Sequence, residues 1–211
     1  KSILPELGKI DLGIVGEPTG MHAAVAEKGL LVLDGTARGR TGHAARNEGD
    51  NALYKALDDI ALLRNYRFSQ VSDLLGPVKI TVTQISAGTQ HNVVPDECRY
   101  VVDIRANECY SNEEILATVR ANVQAEITPR STHLQSSGLS LTHPIVRRAV
   151  ALGKHTYGSP TLSDQALMRF NTLKMGPGDS ARSHAPDEYI LLSEIRGGIA
   201  DYIELLTDFN L

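Results

Sequence analysis

The sequence predicts an α/β framework into which a smaller, ferredoxin-like α+β domain is inserted. Three observations carry this. Gly29 to about Ser131 reads β-α-β-β-α-β, the ferredoxin-like order of two helices on one face of an antiparallel sheet. Ahead of it, Leu12-Gly13-Ile14-Val15 is a short apolar strand that stops at Gly16-Glu17-Pro18. After it, from His133 on, helical patterns surround a short apolar strand. The predicted limits are 1–27 and 133–211 for the framework and 28–132 for the insert.

Each element has a local reason. Gly29 to Arg38, Val78 to Thr83 and Arg99 to Arg105 alternate as half-buried strands do. Asn51 to Asn65 carries Leu53, Ala56, Leu57, Ile60, Ala61 and Leu63 at helical spacing, with Asp50 as the expected N-cap. Ser111-Asn112-Glu113-Glu114 has the form of a capping box and opens a helix to Val123. Glu126 to Ser131 closes the sheet. In the last region Pro144 to His155 and Ser163 to Phe170 read as helices and Thr172 to Met175 as a buried strand. Ser193 to Phe209 reads as a final helix, with Ile195, Ile199, Tyr202, Ile203 and Leu206 as its buried stripe.

The bulk numbers exclude several classes. With 211 residues, 42% of them hydrophobic, the chain can bury a core. A formal charge of −4 offers nothing to nucleic acid or an anionic membrane. No apolar run approaches the roughly 20 residues of a membrane span. Cys98 and Cys109 lack the paired short spacing of a thiolate metal site. Free thiols suit a reducing cytoplasm, the expected location. The chain opens without Met or a signal-peptide pattern, so it is expected to begin inside a larger protein or after processing.

Candidate chemistry lies at element ends. Pro18 keeps Glu17 extended just beyond a strand, where ligands of open α/β sheets gather. The alternative is an exposed loop acid. His184 follows the turn Gly176-Pro177-Gly178 and precedes Asp187 and Glu188. A His there can offer a ring nitrogen to a metal while a carboxylate orients the other nitrogen; equally, the two acids can cap the next segment. In Arg38-Gly39-Arg40-Thr41-Gly42-His43 a His follows two glycines at a strand end. Asn92 can donate and accept, and Arg105 can grip a carboxylate through a fork. Turn chemistry and a solvated strand end are their alternatives.

Taken in order, Val15-Gly16-Glu17-Pro18-Thr19, Gly39 to Ala45, Asn92-Val93-Val94-Pro95, Asp103-Ile104-Arg105 and Gly176 to Tyr189 resemble the M20 metallohydrolase family. Within it the chain looks most like acetylornithine deacetylases and succinyl-diaminopimelate desuccinylases. The resemblance implies a zinc-peptidase-like catalytic α/β domain holding two zinc ions, for which cobalt(II) can substitute. It also implies an inserted lid that makes a homodimer. Carried over, Glu17 ligates one zinc and His184 the other. His43 reaches a neighbouring subunit's site and stabilises the oxyanion. Asn92 and Arg105 hold the substrate, and Ser163-Asp164 resembles a substrate-side loop. The implied reaction is hydrolysis of an N-acyl amino acid such as N-acetyl- or N-succinyl-ornithine or -citrulline, in arginine biosynthesis.

The chemistry suits these residue types. Amide hydrolysis needs a nucleophile that zinc can supply by lowering the pKa of water to about 7. It needs a donor where the oxyanion develops and a carboxylate general base. The family's upstream His-x-Asp motif, bridging Asp and Glu-Glu pair have no counterpart in the sequence, so the stretch by itself is expected to be inactive. Two rivals stand beside this reading. One is an aminoacyl peptidase of the same family; the other is a non-enzymatic ferredoxin-like module that dimerises or binds an effector.

Overall fold

The computed structural model describes Ile3–Asn210, with only the backbone of Leu4 and Pro5. Lys1, Ser2 and Leu211, which the predicted domain limits include, lie outside the described residues. In chain order the strands and helices are β1 (Gly13–Val15), β2 (Ala23–Glu27), β3 (Gly29–Arg38), β4 (Gly42–His43), α1 (Ala52–Asn65), β5 (Lys79–Ala87), β6 (Val93–Val94), β7 (Glu97–Ala106), α2 (Asn112–Asn122) and β8 (Glu126–Pro129). Then follow β9 (Ser137–Gly138), α3 (Pro144–Ala151), β10 (Thr156–Ser159), β11 (Thr172–Lys174) and α4 (Leu192–Leu206). The chain divides into two compact units. One holds residues up to Lys28, Asp73–Leu75 and those from Ser136; the other holds Gly29–Ser72 and Gly76–Gln135.

The second unit is built on the antiparallel sheet β5-β7-β3-β8. With β3, β5, β7 and β8 as first to fourth strands, the order is fourth, first, third, second: the ferredoxin-like arrangement. β3 and β7 pair without interruption from Gly29↔Ala106 to Arg38↔Glu97. Alternate residues of both strands are buried, so Leu31, Leu33, Tyr100, Val102 and Ile104 face α1 and α2 in one core. Gly35 is required there, because a Cβ would lie 2.5 Å from the Tyr100 ring. The Tyr100 hydroxyl donates to buried Asp59 (3.2 Å), which also accepts the Gln124 and Ala125 N–H groups (2.9 Å each). Burial first, then the Asp59 charge, raise the Tyr100 pKa.

The capping box at Ser111 forms as read: Ser111 Oγ accepts the Glu114 N–H (3.2 Å) and Glu114 Oε2 accepts the Ser111 N–H (2.8 Å). The cap of α1 differs from expectation. Asn51 fills it, Oδ1 accepting the Leu53 N–H at 2.9 Å, while the Asp50 carboxylate pairs with Lys55 one turn on. β5 runs on to Ala87 past a bulge between Val82 and Gln84. Cys98 and Cys109 are not joined in a disulfide.

The first unit holds the sheet β1-β11-β2-β10, with β9 on β2. β1 and β11 are parallel, as are β2 and β10, and β11 meets β2 antiparallel. α3 and α4 lay Ile145, Val146, Ala149 and Leu205 on Ala23, Val25, Leu173 and Met175. β2 has no counterpart among the predicted strands. All five of its residues are buried, so alternation is missing, and alanine has little strand preference of its own. The helix expected to reach His155 ends at Ala151, where Gly153 turns at φ +78°, and β10 follows. The helix expected over Ser163 to Phe170 shrinks to a 3-10 turn, Asp164–Leu167.

The predicted stripe of the last helix is the reverse of the observed one. Ile199 is 56% and Ile203 61% exposed, and Ile195 and Leu206 are exposed too, whereas Gly198 and Leu205 are buried. Only Tyr202 of the expected set packs inward, its hydroxyl donating to the Met175 carbonyl. The glycine decides which face packs. A Cβ on Gly198 would stand 3.0 Å from Pro177 Cβ and 3.3 Å from Met21 Sδ, so the missing side chain permits this close approach.

Candidate functional site

In the first unit, Glu17 follows β1, half-buried, and the turn after β11 packs against it. Gly176 C=O accepts the N–H groups of Thr19 (3.1 Å) and Met21 (2.9 Å), and Gly178 C=O accepts that of Gly20 (2.7 Å). A Cβ on Gly176 would sit 2.6 Å from the Glu17 carbonyl oxygen. The segment 179–191 is then tied down. Asp179 caps a 3-10 turn by accepting the Ala181 N–H at 2.9 Å. Arg182 pairs with Glu194 at 2.7 Å and lies 4.8 Å over the Tyr189 ring. The Arg182 guanidinium, with the Leu191 N–H, holds the Glu194 carboxyl below its usual range.

His184 is exposed at the far point of this loop and sits in the left-handed region (φ 61°), as does Asp187 (φ 58°). Glu188 accepts the His184 backbone N–H at 3.1 Å. The Glu188 carboxylate therefore holds the loop's backbone at His184, not its ring. A cleft of about 390 Å³ runs between Gly16 and Pro18, which flank Glu17, and Ser183 and Glu188, which flank the His184 turn.

Ser163 belongs elsewhere in this unit. Its hydroxyl donates to Glu27 Oε2 (2.7 Å) at the end of β2, while the 176–178 turn meets the chain just ahead of β2's first residue. Ser163 and the pair Glu17 and His184 thus lie at opposite ends of that strand.

In the second unit the structure brings His43 and Asn92 together. β4 pairs with β6 in the register Gly42↔Val94 and His43↔Val93, and Asn92 C=O accepts the Ala44 N–H at 2.9 Å. The glycines before His43 are demanded by close packing: Cβ atoms on Gly39 and Gly42 would lie 2.0 Å from Asp50 O and 2.6 Å from Glu48 O. His43 Nδ1 accepts the Ala45 N–H at 3.1 Å. In the neutral ring the proton therefore sits on Nε2, which becomes a donor. Both His43 and Asn92 are exposed.

Arg105 is not with them. It stands near the far end of β7, eight residues beyond Glu97, or roughly 25 Å at strand rise. Its Nε and Nη2 already donate to Asp103 Oδ1 (2.8 Å) and Oδ2 (3.1 Å). Asp103 has no expected role in the sequence. The spacing Asp-x-Arg on one strand face was the available signal, since residues i and i+2 share a side.

Among the described residues no three His, Cys, Asp or Glu side chains converge where a metal ion could sit. Glu17 and His184 are two donors, fewer than the three or four ligands of a zinc site, and among the described residues nothing joins them to complete one.

The family model for the M20 peptidase dimerisation domain matches residues 25–130, a stretch that takes in most of the ferredoxin-like unit. The chain is 30% identical to a succinyl-diaminopimelate desuccinylase of Dinoroseobacter shibae, covering 95% of this chain and 59% of that protein. It is 24% identical to an acetylornithine deacetylase of Myxococcus xanthus, covering 90% and 55%. Among solved structures it resembles the YXEP protein of Bacillus subtilis, described as a dinuclear metal binding peptidase of the M20 family. The TM-score is 0.66 at 17% identity, over 95% of this chain and 58% of that one. The chain thus spans somewhat over half the length of these relatives. With its matched domain and the ferredoxin-like fold of that same stretch, the chain belongs to the M20 peptidase family.

Proposed function

We propose that the protein is a hydrolase of amide bonds in N-acyl amino acids, acting as a homodimer through the ferredoxin-like unit. The observation that carries this is the β4–β6 pairing, which runs the backbone at His43 and Ala44 alongside Asn92, with His43 Nδ1 taken up by the Ala45 N–H. An exposed ring whose Nε2 is left to donate suits a developing oxyanion. Asn92 beside it can hydrogen-bond an amide. The distance from this pair to Arg105 along β7 suits a dimer in which each copy lends His43 and Asn92 to one site and Arg105 to another.

Asp103 engages the Nε–Nη2 edge of Arg105, so a substrate carboxylate would take the Nη1 end of the guanidinium. In this reading Glu17 and His184 each give one ligand to a pair of zinc ions whose other ligands lie outside these 211 residues. Ser163 serves from the second rank, through the loop it holds. The acyl group is acetyl or succinyl, and the amine part ornithine, citrulline or diaminopimelate. A cytoplasmic role in arginine biosynthesis follows for the acetylornithine form. A peptidase is the second reading, favoured by the description of the Bacillus subtilis relative.

The test uses the full-length gene product with N-acetylornithine, N-succinyl-diaminopimelate and a dipeptide, reading amine release. Hydrolysis of an N-acyl amino acid is expected. His43→Ala should lower kcat on the order of 100-fold with KM little changed. Cleavage of the dipeptide alone moves the assignment to the peptidase branch. Near-normal kcat in the variant leaves His43 as a turn residue.

A further inference from the structure

Glu27 is fully buried and Lys174 3% exposed, and no role proposed above uses Lys174. Charges removed from water persist only when paired and fully hydrogen-bonded, and this pair meets both conditions. The Lys174 ammonium is surrounded by four oxygens: Glu27 Oε2 (3.3 Å), Ser159 Oγ (3.1 Å), Thr161 O (3.3 Å) and Thr161 Oγ1 (3.1 Å). Glu27 in turn accepts the Ser163 N–H on Oε1 (3.2 Å) and the Ser163 hydroxyl on Oε2 (2.7 Å). Every member touches the turn 159–163, which runs from Ser159, the last residue of β10, to Ser163, the N-cap of the 3-10 turn at Asp164.

The arrangement has the composition of a cation site: one carboxylate, two hydroxyls and a backbone carbonyl around a single positive centre. Here that centre is covalently attached. We infer that Lys174 is a tethered structural cation that builds the 159–163 turn, and that its vacated cage binds a small primary ammonium ion. Lys174 is then a positioning residue for Ser163. The Ser163 hydroxyl has only one proton, which goes to Glu27, and it accepts the Gln165 N–H at 3.3 Å. So long as the cage is intact, anything that meets this hydroxyl must approach as a donor. None of this depends on the hydrolase reading.

The experiment replaces Lys174 by Ala in the full chain, which removes the Cγ-to-Nζ portion and leaves room for n-propylammonium. Urea unfolding and hydrogen exchange of the 159–163 peptide are followed in n-propylammonium chloride and, at equal concentration, in tetramethylammonium chloride, whose cation has no N–H. Lys174→Ala should exchange this turn on the order of tenfold faster than wild type or more. Propylammonium should recover most of that protection and raise the urea midpoint, as a ligand of the folded state does. Tetramethylammonium should do neither, and wild type should ignore both. Equal recovery by the two salts, recovery by neither, or a turn unaffected by the substitution overturns the inference. Should Lys174→Ala not fold, the paired substitution Glu27→Gln with Lys174→Met removes both charges. It should keep the sheet protected while the turn exchanges faster. A turn as protected as wild type, or a rise spread equally over β2, β10 and β11, again overturns it.

Discussion

β3 and β2 lie one residue apart in the chain and follow different rules. β3, with ten residues, buries every second one and pairs in unbroken register with β7. β2, with five, buries all of them and is shared among β9, β10 and β11. The contrast extends to the helices. α1 and α2 of the second unit are capped by side chains and feed one core. α4 of the first unit has apolar residues on two faces and buries only one. A half-buried sheet writes its orientation into its sequence, whereas elements covered on both sides write only their hydrophobicity.

The comparison can be pressed hardest in the cores. Leu33→Ala in β3 and Leu205→Ala in α4 each empty a fully buried site and should cost about 2–5 kcal/mol, read by urea unfolding. Equal losses would show that both units are packed as tightly despite their different patterns; a small loss at Leu205 would mark α4 as loosely held. Next in size is Gly39→Ala, whose Cβ would meet the Asp50 carbonyl at 2.0 Å. It should cost about 1–3 kcal/mol and displace the 40–50 loop, with hydrogen exchange rising at Ala44, whose N–H bonds Asn92. Unchanged exchange there would detach His43 from the glycine's geometry.

On the outer face of α4, Ile203→Ala should change stability by no more than about 0.5 kcal/mol, as exposed substitutions do. A loss near that of Leu205→Ala would mean the stripe is covered in solution. The smallest effect is acid-dependent. Glu194 titrates below its ordinary 4.5 because Arg182 bonds its charged form. Its contribution is complete above pH 4.5 and fades as pH falls through the lower folded value. Proteolysis of the 183–189 loop should quicken only in that acid range, and Glu194→Gln should remove the pH dependence.

Legibility in the sequence followed these differences. The strand limits of β3 and the Ser111 cap were readable because alternation and a reciprocal side-chain cap are local signals. β2 was not, since Ala-Ala-Val-Ala-Glu has no period. α4's packing face was misread because four large aliphatics outweigh Gly198 in any hydrophobic pattern, while the close approach to Pro177 needs the glycine. At the candidate site, motif spacing pointed to Glu17, His184, His43 and Asn92 at or near the ends of elements. It could not show that Asp103 already holds Arg105, nor that Glu27 draws Ser163 and Lys174 together from 136 and 147 positions away.

One closure in the second unit has a practical meaning. The Leu30 N–H donates to Leu134 C=O at 2.9 Å, and Asn112 Nδ2 donates to the carbonyls of Leu30, Thr132 and Leu134 (3.3, 3.2 and 3.0 Å). The two ends of the unit are thereby stitched side by side by its own backbone and one buried amide. A module whose ends already meet can be spliced into a loop of a host, or have its ends joined and new ones opened at a turn, without stretching either partner. Asn112, unremarkable as the first residue of a helix, is the clasp that makes the unit portable.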